Sequence, residues 1–318
     1  MTNKIGSMVS FNSKLLKPSI FMSIILVVIS MLGFKIGGQL GVYLLLFGLM
    51  TGFNARQISL KRIIVLSLTM AILVGAASYC QDNLWIVTFL VGLAALVTGL
   101  FEKWAVGIGH LIPIAVAVAG MVHQAQDPIF PTVWIIIGCS VGILLVYLFK
   151  IHQKPSIATT VQLKIYTAVI VLMATTFTYI AIKYNLPHGY WAIFTLCAVL
   201  KPATNETIST VRMRVFGTII GAIFGLVSVL LLPHWLTTVF ALLCLLFMIN
   251  YMLDSRYTMY VVVLTTLLVL LMSNGVKSEA INISEIRLLL TVFSSAITAL
   301  VALIIWRFQK HYIIKKHN

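Results

Sequence analysis

Apolar residues in this chain run in long uninterrupted blocks separated by short polar connections. They do not alternate as in strands or form the one-sided stripe of soluble helices. A helix needs roughly 20 apolar residues to cross a bilayer. Twelve blocks meet or approach that length: Pro18–Phe34, Gly38–Phe53, Ile58–Tyr79, Leu84–Phe101, Ala105–Val122, Thr132–Phe149, Leu163–Ile182, Gly189–Leu200, Thr210–Leu232, Leu236–Leu253, Tyr257–Ser273 and Ser284–Trp306. The pattern predicts an all-α, polytopic membrane protein with about twelve transmembrane helices.

Composition agrees. The chain is 61% hydrophobic and 9% charged, with mean hydropathy +1.07, beyond what a soluble core can bury. The start is polar and no small-residue cleavage site follows the first block, so the first span is expected to serve as its own anchor. With the N-terminus inside, eighteen of the 22 Lys and Arg fall on the inner side with three of the seven acids. That places the whole +15 on the inner face and leaves the outer face neutral. Cytoplasmic loops retain Lys and Arg, so both termini are expected in the cytoplasm of a cell-membrane protein. Topology and attraction to anionic lipid account for the charge, and nucleic acid is not called for. The four cysteines lack metal-ligand spacing and read as small apolar packing groups. GxSxG, HExxH, P-loop and dinucleotide fingerprints are missing, so the chain reads as no enzyme, with no cofactor and no metal site.

Shifting the chain by 152 residues lays Gly37 on Gly189, Leu44 on Leu196 and Arg62 on Arg214. This predicts two parallel six-helix units, at 18–150 and 163–306. A cytoplasmic tail is expected at 1–17, a linker at 151–162 and a basic tail at 307–318. An even number of spans makes both units face the same way, with the path for cargo near their contact. Gly189–Leu200 is too short to cross at 1.5 Å per residue. It is either a broken helix beside a transport site or a tilted helix continued by Ala203–Thr207.

The stretch from His188 to Leu226 adds a resemblance. Tyr190, Trp191, Pro202, Arg214, Gly217-Thr218, Gly221 and Gly225 stand in the order and spacing that resemble the signature of fusaric acid resistance (FUSC-like) and aromatic acid exporter membrane proteins. The stretch is also similar to the corresponding helices of plant aluminium-activated malate transporters. The resemblance implies export of organic anions. It covers the second half well and the first half weakly, and with about a dozen residues between the two units, a cytoplasmic domain like that of many relatives is not expected there.

Several residues are candidates for that task. Gly217, Thr218 and Gly221 share a face with Arg214, and Gly217, Gly221 and Gly225 let another helix approach closely. Arg214 then either binds a carboxylate through two parallel hydrogen bonds or anchors the helix to lipid phosphate. Arg212 is about 200° away around the helix and serves another face. Arg62 is the repeat partner of Arg214, but its helix lacks the glycine stripe. Lys201 ends the short span before Pro202 and faces either a cavity or the headgroups. Tyr190 and Trp191 are either interfacial belt residues or lining for an aromatic path. Arg287 is either an outer gate or a snorkelling anchor. His110, expected five residues inside its span, Glu206 and Asp254 are candidates for proton exchange, against packing for the first and ion pairing for the others. Pro113 is expected to kink the helix after His110 and free a carbonyl.

The expected function is therefore export of small organic anions, aromatic or other carboxylates, by a secondary mechanism. A passive anion channel and a non-transporting membrane scaffold are the alternatives. The expected partners are the anion and membrane lipid; the oligomeric state stays open.

Overall fold

The computed structural model describes residues 12–81, 83–122, 127, 129–273 and 276–317, apart from the side chains at 14 and 308–317. The tails expected at 1–17 and 307–318 lie partly outside these residues. The longer elements are α1 (Leu16–Gly52), α2 (Leu60–Tyr79), α3 (Leu84–Phe101), α4 (Leu111–Met121), α5 (Ile129–Leu148), α6 (Thr160–Lys183), α7 (Tyr190–Val199), α8 (Thr204–Leu231), α9 (His234–Leu253), α10 (Tyr257–Ser273) and α11 (Lys277–His317). Each predicted apolar block contains a helix, and the described residues form no strand. Eight helices among the described residues are long and apolar enough to cross a membrane. That is fewer than the twelve expected. Two blocks share α1, and α4, α7 and α10 have only 11, 10 and 17 residues.

The first two blocks merge in α1 because one residue carries the break. Gly38 has φ 54° and ψ −149°, a backbone state open to glycine and closed to most residues. Gly33 and Gly41 would lie about 12 Å apart in a straight helix. Instead a Cβ on Gly41 would meet the Gly33 carbonyl oxygen at 2.6 Å. The chain doubles back at Gly38.

The described chain forms two compact units, each drawing on both halves of the sequence. One takes Val27–Ile208 and the stretch from Ile297 onward. Its centre is α4 packed on α7, with α2 and α3 against α4 and α6 against α7. Every residue from Leu111 to Gly120 is buried, as are eight of the ten in α7. A helix apolar all round belongs in a core. Protein rather than lipid surrounds both, so neither needs spanning length. By contrast α2 and α3 turn large apolar side chains outward, with Ile72 69% and Phe89 67% exposed. That is the face a lipid-embedded helix presents.

The same unit holds a glycine contact that the sequence pattern did not flag. Gly48 and Gly52 of α1 meet Gly138 and Gly142 of α5. Added Cβ atoms would lie 2.2–2.5 Å from carbonyl oxygens of the facing helix. The first half thus has its own close helix approach, on α1 and α5 rather than on the helix of Arg62.

The other unit takes the N-terminal segment to Leu26 and Ser209–Ala296. Here α9 packs on α10, and the glycine face of α8 lies on α10. A Cβ on Gly221 would meet the Val262 carbonyl oxygen at 2.3 Å, and one on Gly225 the Val269 Cβ at 2.8 Å. Thr266 Oγ1 donates to the Gly221 carbonyl at 3.0 Å. Buried Asn250 ties down the N-terminal segment: its Nδ2 donates to the Asn12 carbonyl at 3.1 Å and lies 3.3 Å from Ser19 Oγ.

Helix ends keep the offset seen in the sequence. Tyr79 and Leu231, Phe101 and Leu253, and Met121 and Ser273 each close a helix and are each 152 residues apart.

Gly142→Ala is expected to force α1 and α5 apart and destabilise the protein by about 1–3 kcal/mol. A lower melting temperature in detergent than for the neutral surface change Ile72→Leu checks this; equal values would remove the glycine contact from the account.

Candidate functional site

Residues 105–110, between α3 and α4, are helical in the sequence reading and unwound in the structure. The apolar run starting at Ala105 looks continuous, but α4 begins only at Leu111. Gly107, at φ 89°, supplies a turn that a side chain would oppose. Unwinding leaves backbone groups that require partners in an apolar interior. Glu102, 1% exposed, provides two. Its Oε2 accepts the Gly107 N–H at 2.5 Å and its Oε1 the Gly109 N–H at 3.3 Å. Thr98 Oγ1 lies 2.9 Å from the Gly109 carbonyl, and Asn54 Nδ2 donates to the Ile108 carbonyl at 3.0 Å. The Val106 N–H donates to the Ser156 carbonyl at 2.8 Å.

His110 is therefore the residue before α4 and not five residues inside it. Its Nδ1 donates to the Gly107 carbonyl. Pro113 sits in the first turn of α4, where its missing N–H breaks no helical bond, so no kink follows. The carbonyl four residues earlier is that of Gly109, which meets the Thr98 hydroxyl.

The short helix α7 ends opposite this segment. Pro202 follows closely and is buried. The Lys201 N–H donates to Thr207 Oγ1 at 2.9 Å, which lies 3.1 Å from the Lys201 carbonyl. The half-buried Lys201 ammonium acts on both Glu102 and His110. Tyr166 of α6 and Cys197 of α7 lie within electrostatic reach of Glu102. A cavity of about 10 Å³ opens beside Tyr166, Lys201, Pro202 and Thr207, about the space of one water.

Burial raises the Glu102 carboxyl to about 7, against the Gly107 N–H, the Lys201 charge and the Gly109 N–H, which all favour the ionised form. Burial lowers His110 to about 4; Lys201 adds to the fall and the Gly107 carbonyl opposes it. Burial also lowers Lys201, with Glu102, Glu206 and Cys197 opposing. Glu102 is thus the acid of this cluster that changes charge near neutral pH, and His110 stays neutral there.

The unit containing Ser209–Ala296 carries a second locus. Arg214 and Arg287 are each 1% exposed and are the two largest fully buried side chains among the described residues. The Arg214 charge reaches the hydroxyls of Tyr257 and Tyr260, and Arg287 reaches Tyr260 as well. Arg287 lies ten residues into α11, enclosed by protein rather than extended to the headgroups. Thr218 is 1% exposed, while Arg212 is exposed.

Other predicted residues sit apart from both loci. Arg62 is exposed and stacks over Trp104 at 5.5 Å. Tyr190 and Trp191 are buried; His188 stacks on Trp191 at 4.6 Å and lies 3.0 Å from the Tyr190 hydroxyl, which reaches Tyr43 at 3.4 Å. Asp254 closes α9 and pairs with Arg256 at 2.5 Å, also accepting Asn12 Nδ2 at 2.9 Å. Glu206 is exposed in the first turn of α8, where the helix dipole favours an acid. Sequence reasoning passed over Glu102, Tyr166, Tyr257 and Tyr260. Only Glu102 left a signal: an acid closing an apolar helix, five and seven residues before two glycines.

Glu102 binds protons more tightly folded than unfolded, so its contribution to stability is lost as pH rises through about 7. The melting temperature of Glu102→Gln relative to wild type is expected to rise as pH goes from about 5 to about 8. His110 titrates in both proteins and cancels in the difference; a pH-independent difference would contradict the assignment.

Residues 174–301 match the family model described as fusaric acid resistance protein-like, a stretch that contains Arg214, Arg287 and the glycine face of α8. No curated protein and no solved structure matches the chain. The matched part of this multi-helix chain is similar to that family.

Proposed function

We propose that the chain is a secondary transporter that exports small organic anions, aromatic or other carboxylates, from the cytoplasm. The observation that carries this reading is the pair of buried arginines, Arg214 and Arg287, sharing Tyr260 within the matched stretch. Charge buried in an apolar bundle is costly and is kept where it serves a path for ions or substrate. A guanidinium offers a carboxylate two parallel hydrogen bonds, and a tyrosine hydroxyl can add a third. The close packing of Gly221 on Val262 keeps the helix of Arg214 against the helix of both tyrosines. In this reading Arg214 and Arg287 bind the anion, a role the sequence suggested for Arg214 alone, while Arg62 and Lys201 attract anions from the inner side.

The reading also includes twelve crossings in two parallel six-helix repeats, with both termini in the cytoplasm of a cell-membrane protein. The shared 152-residue offset of three helix ends and the basic inner loops support it. A monovalent anion leaving through 100 mV gains about 2.3 kcal/mol, so membrane potential alone can drive export.

Inverted vesicles containing the wild type are expected to accumulate labelled benzoate. Arg214→Ala and Arg287→Ala are each expected to slow uptake about tenfold or more, the loss of a charge-assisted hydrogen bond, while exposed Arg212→Ala keeps the wild-type rate. Equal uptake by wild type and Arg214→Ala would remove that residue from the mechanism, and no uptake by the wild type would remove the function.

A further inference from the structure

We propose that Glu102 is the proton-exchange group of this transporter, with Lys201 as its ionic partner. The inference rests on the transport reading above and extends it to the coupling ion, at a locus separate from the buried arginines. Glu102 is almost fully enclosed, yet no described arginine or second acid of its own loop shares the site; Lys201 is the cation acting on it. The neighbouring groups that titrate are His110 on its own loop, Tyr166 on α6 and Cys197 on α7. None of these offers a second carboxylate; exposed Glu206, in the first turn of α8, acts on Lys201 as well.

The geometry links proton binding to backbone shape. Ionised Glu102 holds Gly107 and Gly109 with one oxygen each. A carboxylate only accepts hydrogen bonds, whereas a protonated carboxyl must also donate one. Adding one proton from water therefore removes one charge and turns an acceptor oxygen into a donor facing an N–H. The bond to Gly107 or to Gly109 is weakened, because a hydroxyl oxygen is a poorer acceptor than a carboxylate oxygen, and the unwound segment loosens. Lys201 loses the stronger of its two acidic partners in the same step and keeps Glu206. Lys201 stands three residues before Thr204, the first residue of α8, and α8 carries Arg214. A change at Lys201 thus passes along the chain into the helix that binds the anion. Burial sets the carboxyl at about 7, so both states are populated near neutral pH.

The test uses purified full-length protein in lipid nanodiscs and in vesicles. In infrared difference spectra, a protonated-carboxyl carbonyl band is expected to grow as pH falls through about 7 and to be missing from Glu102→Gln. Lys201→Met is expected to move its midpoint to higher pH, because a cation that favours ionisation is gone. In vesicles clamped at zero potential, Glu102→Gln is expected to lose benzoate accumulation driven by a pH gradient yet retain exchange of labelled for unlabelled benzoate. A band that titrates in the ordinary carboxylate range, or undiminished pH-driven accumulation by Glu102→Gln, would overturn the proposal. Wild-type vesicles that move no benzoate under any gradient would instead sink the transport reading, with the band still reporting on Glu102. If Glu102→Gln does not fold, Lys201→Met decides: an unshifted midpoint overturns the proposal.

Discussion

Backbone that leaves the helix inside an apolar protein must find hydrogen-bond partners, because neither lipid nor a dry core supplies them. In this chain that constraint falls hardest on residues 102–110. Gly107 lets the segment turn, and the side chains of Glu102, Thr98, Asn54 and His110 satisfy the groups it exposes. The placement of a carboxylate in the core follows from the need for acceptors there. Its unusual proton affinity follows in turn from burial.

The same logic explains the two short helices. α4 and α7 pack on each other and are buried almost throughout, so the long helices around them face lipid in their place. Their ends at Leu111 and Val199 lead into the segments that carry Glu102 and Lys201. Shortness, unwinding and buried charge are one feature of the fold. The arginine locus uses a different device: glycines on α8 bring backbone against α10, and two guanidinium groups occupy the interior beside its tyrosines.

Much of the helical layout was legible in the chain. Long apolar blocks fixed where helices occur, and the 152-residue offset reappears in three pairs of helix ends. Angular reasoning separated Arg214 from Arg212, and the structure places the first inside and the second outside. Hydropathy did not reveal the late start of α4, because Ala105, Val106 and Ile108 continue the apolar run while Gly107 between them turns the chain. Nor did it show that the first two blocks turn within eight residues, since Gly37-Gly38 reads equally as a gap between helices. Glu102 looked like an ordinary loop acid: its place before two glycines hints at a turn, but linear sequence does not say that the carboxyl is buried. The offset that pairs Arg62 with Arg214 does not say which face of a helix is covered, and Arg62 is exposed.

Hydrogen–deuterium exchange over residues 103–112 tests most directly whether Glu102 holds the unwound segment. The account predicts slow exchange of the Gly107 and Gly109 amides in the wild type at alkaline pH, and fast exchange in Glu102→Ala once intrinsic rates are corrected. Equal protection in both proteins would show that the segment holds its shape without the carboxylate, contradicting the account at its base.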